Sequence, residues 1–167
     1  MADIRERAKL WKKGRLFEDF AVGDKFRHHW GRTISESEAL LFSTLTLAFN
    51  PLYFNRDYAK ELGHPDIVVN PHLLFNVVLG LSVEDLSEIG GPFLGVYDLV
   101  YHKPAYPGIT LRAESETTEV RVSESNPQNG IVTWSSRGVD SDGATVVSFR
   151  RSNLVGRRQA QEKELVA

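Results

Sequence analysis

A chain of 167 residues with 41% hydrophobic, 10% aromatic and 25% charged side chains sits near globular averages. One core serves that length, and disorder, collagen and coiled coil are disfavoured. Lys and Arg number 20 against 22 Asp and Glu, a net charge of −2 without the positive excess that phosphate neutralisation demands, so no nucleic-acid partner is expected.

Cysteine is absent, which excludes disulfides, thiolate metal sites and a cysteine nucleophile and suits a reducing, cytoplasmic setting. No apolar run approaches the roughly 20 residues that cross a bilayer, and residues 1–15 are charged where a signal peptide needs its apolar stretch. Neither membrane insertion nor export is expected.

Residues 1–15 read as a basic arm, with Arg5, Arg7, Lys9, Lys12, Lys13 and Arg15 against Asp3 and Glu6. A solvated helix face explains it; a contact for a phosphate-bearing ligand is the alternative. The domain proper is expected over residues 16–158, with residues 159–167 as a tail. Gly23 and Asp24 mark a turn before a strand from Lys25 to Thr33. Ser35, three residues ahead of Glu38, makes a capping box for the apolar run Ala39 to Phe49, and Asn50-Pro51 ends that helix. From Leu52 to Ile67, with Gly63 and Pro65, the chain is irregular apart from a short helical turn.

Asn70 at the cap and Pro71 at the first helical position open a second helix, apolar from Leu73 to Leu81 except for Asn76 and Gly80. Such a helix is expected to be buried on all sides, with Asn76 hydrogen-bonded inside the core or at the pocket. Strands follow at Phe93 to Tyr101, Thr110 to Val122, Ile131 to Val139 and Thr145 to Val155. Turns are expected at Tyr106-Pro107-Gly108, Asn129-Gly130 and Asp142-Gly143, and a bulge between Thr117 and Val120, where the alternation slips. The order describes an α+β fold: an antiparallel five-stranded sheet wrapped around a buried central helix.

That order carries Phe17-Glu18-Asp19-Phe20 before Gly23-Asp24, Gly31-Arg32-Thr33-Ile34-Ser35-Glu36, Phe42-Ser43 through Asn50-Pro51-Leu52, and Tyr101 through Pro107-Gly108. In these phrases the chain resembles the MaoC-like dehydratases of the hot dog fold, among them (R)-specific enoyl-CoA hydratases and mesaconyl-CoA hydratases, over about Leu16 to Arg158. The resemblance implies a single hot dog domain that adds water across the double bond of an acyl-CoA or acyl carrier protein thioester, or removes it. It needs no redox cofactor, and no histidine spacing suggests a metal.

The family's active-site phrase sets an aspartate two residues before Asn-Pro and a histidine two residues after the proline. Here Ala48 and Tyr53 hold those places. Alanine can neither take nor give a proton, and a tyrosine, with its ordinary pKa near 10, serves better as proton donor or water-positioning group than as base. Where family members often have His-Gly ahead of the central helix, this chain has Asn70-Pro71, which shifts the expected carbonyl-polarising N–H groups to His72 and Leu73.

The expected catalytic set is therefore Tyr53, Asn50 and His72, with His72 as a displaced base. Ala48, Asn55, Asn70, Leu73, Asn76 and Arg150 are expected to bind substrate. Each has a plainer reading: a packed aromatic for Tyr53, turn chemistry for Asn50, a core or interface histidine for His72, a solvated strand face for Arg121 and Arg150. His28 and His29, adjacent on a strand, point to opposite faces. Trp30 and Trp134 read as core or interface aromatics.

Two rivals to the hydratase stay open, a non-catalytic acyl-thioester binder or partner subunit, which Ala48 favours, and a thioesterase. Because the sheet leaves an edge strand exposed, a homodimer or dimer of dimers is expected, with the pocket at the subunit boundary.

Overall fold

In the computed structural model, which describes residues 14–158, the chain starts with a 3-10 turn at Phe17–Asp19. The order is then β1 (Lys25–Thr33), α1 (Glu36–Leu45), a second 3-10 turn (Pro51–Tyr53), α2 (Arg56–Glu61), α3 (Pro71–Leu86), β2 (Phe93–Tyr101), β3 (Thr110–Val122), β4 (Asn129–Val139) and β5 (Thr145–Gly156). Nearly all of the basic arm and the whole tail lie outside the described residues. The strands form one antiparallel sheet in the order β1-β3-β4-β5-β2, which leaves β1 and β2 as edges.

Period-two alternation decides which face of the sheet turns inward. Leu111, Ala113, Ser115 and Thr117 of β3 are buried, while Arg112 and Glu116 face water. Onto the inner face packs α3, through Leu73, Leu74, Val77, Val78 and Leu86. At Gly138 the fit allows no side chain: a Cβ there would stand 2.4 Å from Val78 Cγ2. A second cluster of Phe20, Leu86, Val132, Trp134 and Val155 closes the far end of the helix.

Several expectations change. The central helix is not buried all round: His72, Asn76, Gly80 and Val83 form an exposed stripe. Asn76 therefore faces outward instead of holding a bond in the core. The 3.6-residue period puts these four on one side, and the apolar residues between them disguise the stripe in the sequence.

The first helix stops at Leu45, and Leu47 adopts φ 54°. Ser35 Oγ does accept the Glu38 N–H at 3.2 Å, but the Glu38 carboxylate pairs with Arg32 instead of closing the capping box. Asn129-Gly130 lies within β4, not in the turn: the chain reverses at 124–128, and Gly130 is needed because the Phe17 ring lies where its Cβ would be. The bulge falls between Thr117 and Glu119 as expected.

A buried polar chain crosses the layers. The His28 side chain is fully buried; Nδ1 lies 2.7 Å from Asp85 Oδ2, and Nε2 lies 2.9 Å from Ser115 Oγ, itself 2.8 Å from Ser136 Oγ. With Nδ1–H donating to the carboxylate, Nε2 accepts from Ser115. His29 is exposed and approaches Glu84, the neighbour of Asp85, so one histidine of the pair is buried and the other lies at the surface.

Burial lowers the His28 pKa, helped by Arg151 and His29 and opposed by Asp85. Because the unfolded chain then binds the extra proton more readily, the stability from neutral His28 is complete above about pH 6.5 and declines as pH falls below it. Urea melts between pH 7.5 and 5 should show a slope of at most about 1.4 kcal/mol per pH unit from this group, and His28→Gln should flatten it. An equal pH slope in parent and variant contradicts this.

Candidate active site

Three asparagines organise the segment ahead of α3, each through its side-chain oxygen. Asn50 Oδ1 accepts the Leu52 N–H at 3.0 Å, Asn55 Oδ1 the Tyr58 N–H at 3.1 Å and Asn70 Oδ1 the His72 N–H at 3.0 Å. Asparagine suits these places because its short amide replaces the partner that a helix start lacks. The Val68 N–H then donates to Leu52 O at 3.0 Å, fastening the Pro51–Tyr53 turn to the lead-in of α3. Arg56 adds a brace, its Nε on Asp66 Oδ1 at 2.7 Å and its Nη2 on Glu36 Oε1 at 2.8 Å.

This bracing sets Tyr53 beside the N-terminal end of α3, where the last residue of β2 arrives as well. The Tyr101 ring meets the His72 ring nearly edge-on, with centroids 6.4 Å apart. Its hydroxyl is buried and has no hydrogen-bond partner. Burial, and secondarily the nearby Tyr53, push the Tyr101 phenol above its ordinary pKa, so it stays protonated and able to donate. An unpartnered buried hydroxyl is costly, on the order of 1–3 kcal/mol, and a ligand carbonyl is the kind of acceptor that would satisfy it.

Tyr101 thus has His72 against its ring and Tyr53 within electrostatic reach, with Asn50 and Asn70 as local scaffolding. Ala48 is half-buried just ahead of the turn, while Leu73 is core. Asn55 caps α2, and Asn76 lies one helical turn from His72 on the exposed stripe. Arg150 is on the outer face of the sheet, its Nε on Asp98 Oδ2 at 2.7 Å, whereas Tyr101 packs on the inner side; Arg121 pairs with Glu119. Arg151, one residue on, is buried over the Trp134 ring and donates to Ser82 and Ser87 near the end of α3; burial lowers its pKa to about 10.

One expected role needs correction. The N–H of His72 is taken by Asn70 Oδ1, and that of Leu73 donates to Asn70 O at 2.9 Å, so neither is free to polarise a thioester carbonyl. The asparagine that caps the helix closes the very donors its positive end would offer. Tyr101, by contrast, was not singled out; the signal was the inward parity of Leu99 and Tyr101 at the end of β2, which carries a hydroxyl toward the helix start. Among the described residues no cluster of His, Asp and Glu could hold a metal ion, and no helix is long and apolar enough to cross a membrane.

The sequence profile of mesaconyl-CoA hydratase matches residues 1–165. The chain belongs to the mesaconyl-CoA hydratase family. A family relative, the mesaconyl-CoA hydratase of Haloarcula hispanica, is 41% identical over 93% of this chain, and the chain spans only 44% of that protein's length. Among solved structures, a MaoC domain protein dehydratase from Chloroflexus aurantiacus superposes with a TM-score of 0.86 at 27% identity, covering 92% of this chain and 43% of that one. A Mycobacterium tuberculosis protein with a double hotdog fold superposes at 0.74 with 22% identity, over 86% of this chain and 44% of its own. The family member described here is therefore one hot dog unit, with its sheet wrapped on α3 as the sequence indicated. In this mesaconyl-CoA hydratase family chain the Asn-Pro segment lies beside the helix start, and the groups flanking it are Ala48 and Tyr53.

Proposed function

We propose that this mesaconyl-CoA hydratase family chain binds a short, branched enoyl-CoA at the start of α3 and takes part in adding water across its double bond or removing it. The carrying observation is the buried, unpartnered hydroxyl of Tyr101, whose ring meets His72 and whose phenol feels Tyr53. In this reading Tyr101 donates to the thioester oxygen, which draws charge from the double bond. Tyr53 positions water, and His72 accepts a proton. The reaction is redox-neutral and calls for no cofactor. A carrier-protein thioester would present the same acyl end, and a cytoplasmic setting goes with either.

The free edge at β2 supports pairing with another hot dog edge, as the two joined sheets of a homodimer would provide. Ala48 favours a second reading, in which the chain binds the thioester and leaves proton transfer to a partner subunit.

The test is a titration of chain and Tyr101→Phe with mesaconyl-CoA, read by binding and by loss of enoyl absorbance. Removing the donor should weaken binding about 10-fold, near the 1.4 kcal/mol of one hydrogen bond, with Tyr53→Phe acting mainly on turnover. Equal affinities in parent and Tyr101→Phe contradict the reading, and release of free thiol would identify a thioesterase instead.

A further inference from the structure

We infer that the surface over the last turn of α3 is the docking site of the chain's own residues 1–13, with the arm's lysines on the carboxylates there and Leu10 and Trp11 on the apolar side chains between them. The inference concerns the far end of the helix and stands independently of the thioester reading.

Where the arm joins the domain is the first ground. Gly14 lies so close to the turn after α3 that a Cβ on it would stand 2.3 Å from Ile89 Cγ1. The next residue, Arg15, holds its guanidinium over the Phe26 ring of β1 at 4.9 Å. The chain is therefore pinned between β1 and the end of α3 at the point where the arm begins. At no more than about 3.6 Å per residue, the backbone of residues 9–13 stays within roughly 18 Å of Gly14.

The charge at that end is the second ground. The last turn of α3 contains Glu84 and Asp85 and no basic residue, and Glu88 follows two residues past the helix. Carboxylates there stand against the negative end of the helix dipole, an unfavourable placement that cations offset. From β1, His28 meets Asp85, while His29 and the Trp30 N–H approach Glu84; none of the three is a permanent cation. Arg151 supplies one positive charge from the buried side, through Ser82 and Ser87, against three carboxylates.

The pattern of the arm matches that surface. Lys9, Lys12 and Lys13 bracket Leu10 and Trp11. Around Glu84, Asp85 and Glu88 lie Val83, Ile89 and Trp30, which are 36%, 41% and 60% exposed. A phosphate-bearing ligand, the other target the arm's cations suggest, would meet these three carboxylates beside it, and like charges repel.

The experiment treats a mixture of unlabelled and isotope-labelled full-length chain with a carbodiimide, which joins a lysine amine to a carboxylate in contact with it, and maps the joined peptides by mass spectrometry. Lys9, Lys12 or Lys13 should be joined to Glu84, Asp85 or Glu88 of the same chain. Lys12→Glu with Lys13→Glu should lower the melting temperature by about 2–4 °C at low salt, and about 0.5 M salt should shrink the difference. Adding Glu88→Lys should restore the loss, while affinity for mesaconyl-CoA stays that of the parent throughout. Links that run only to other carboxylates, or only between two chains, overturn the inference. So does a double reversal that leaves the melting temperature unchanged, or one that weakens mesaconyl-CoA binding, which would return the arm to a phosphate-bearing ligand.

Discussion

Ala48→Asp combined with Tyr53→His should raise the hydratase turnover of the isolated chain by at least about 100-fold, the lower range for positioned acid and base groups. Both positions flank the Asn50-Pro51 turn, which the Val68 N–H to Leu52 O bond holds against the start of α3. A carboxylate and an imidazole there restore the residue types that the family's phrase carries around the Asn-Pro turn. Each single change should gain far less, because the two groups act as a unit. The comparison is a steady-state assay with mesaconyl-CoA on the parent, both single variants and the double variant. If the double variant is slower than the parent, Tyr53 already performs the proton chemistry and the chain is self-sufficient.

Trp134→Ala should remove about 3–5 kcal/mol of stability, a large share of the roughly 5–15 kcal/mol a domain of this size possesses. The indole is fully buried, with the Phe20 ring edge-on at 5.2 Å and the Arg151 guanidinium over its face at 5.1 Å. Truncation opens a cavity and strips Arg151 of its aromatic neighbour, leaving a buried cation held only by hydroxyl and amide oxygens among the contacts described. Trp30→Ala should cost within about 0.5 kcal/mol, because that ring is 60% exposed and its N–H reaches only the Glu84 carboxylate at the surface. Urea unfolding of the two variants gives the contrast; similar midpoints would mean that the second cluster does not carry the far end of the helix.

The two tryptophans also show where the sequence was legible. Both sit in strands, yet burial of Trp134 follows from its place in β4, a middle strand covered by α3, while Trp30 lies on the edge strand β1. Strand order is a long-range property that local alternation does not contain. The strands, the bulge near Thr117, the caps at Ser35 and Asn70 and the wrapped helix were readable because each rests on local periodicity or turn chemistry. Asn76 was misread because a helix seen as a string of apolar residues hides a narrow polar stripe.

At the site, the segment around Asn50, Tyr53 and His72 was legible from its resemblance to the MaoC-like phrase. What was not legible was the competition for the same hydrogen bonds. Asn70 was read as a cap and, separately, His72 and Leu73 as free donors; the geometry shows that the first excludes the second. Tyr101 escaped because its part depends on β2 ending opposite the start of α3, a meeting of segments about thirty residues apart.

The most direct test is a crystal structure of the chain holding mesaconyl-CoA or a saturated analogue. The account predicts the thioester oxygen about 3 Å from the Tyr101 hydroxyl, between Tyr53 and His72 at the start of α3. A thioester seated instead on the outer face of the sheet, in the groove of about 600 Å³ lined by Lys25, Arg27, Glu114, Glu116 and Arg137, with the Tyr101 hydroxyl still unpartnered, would contradict it.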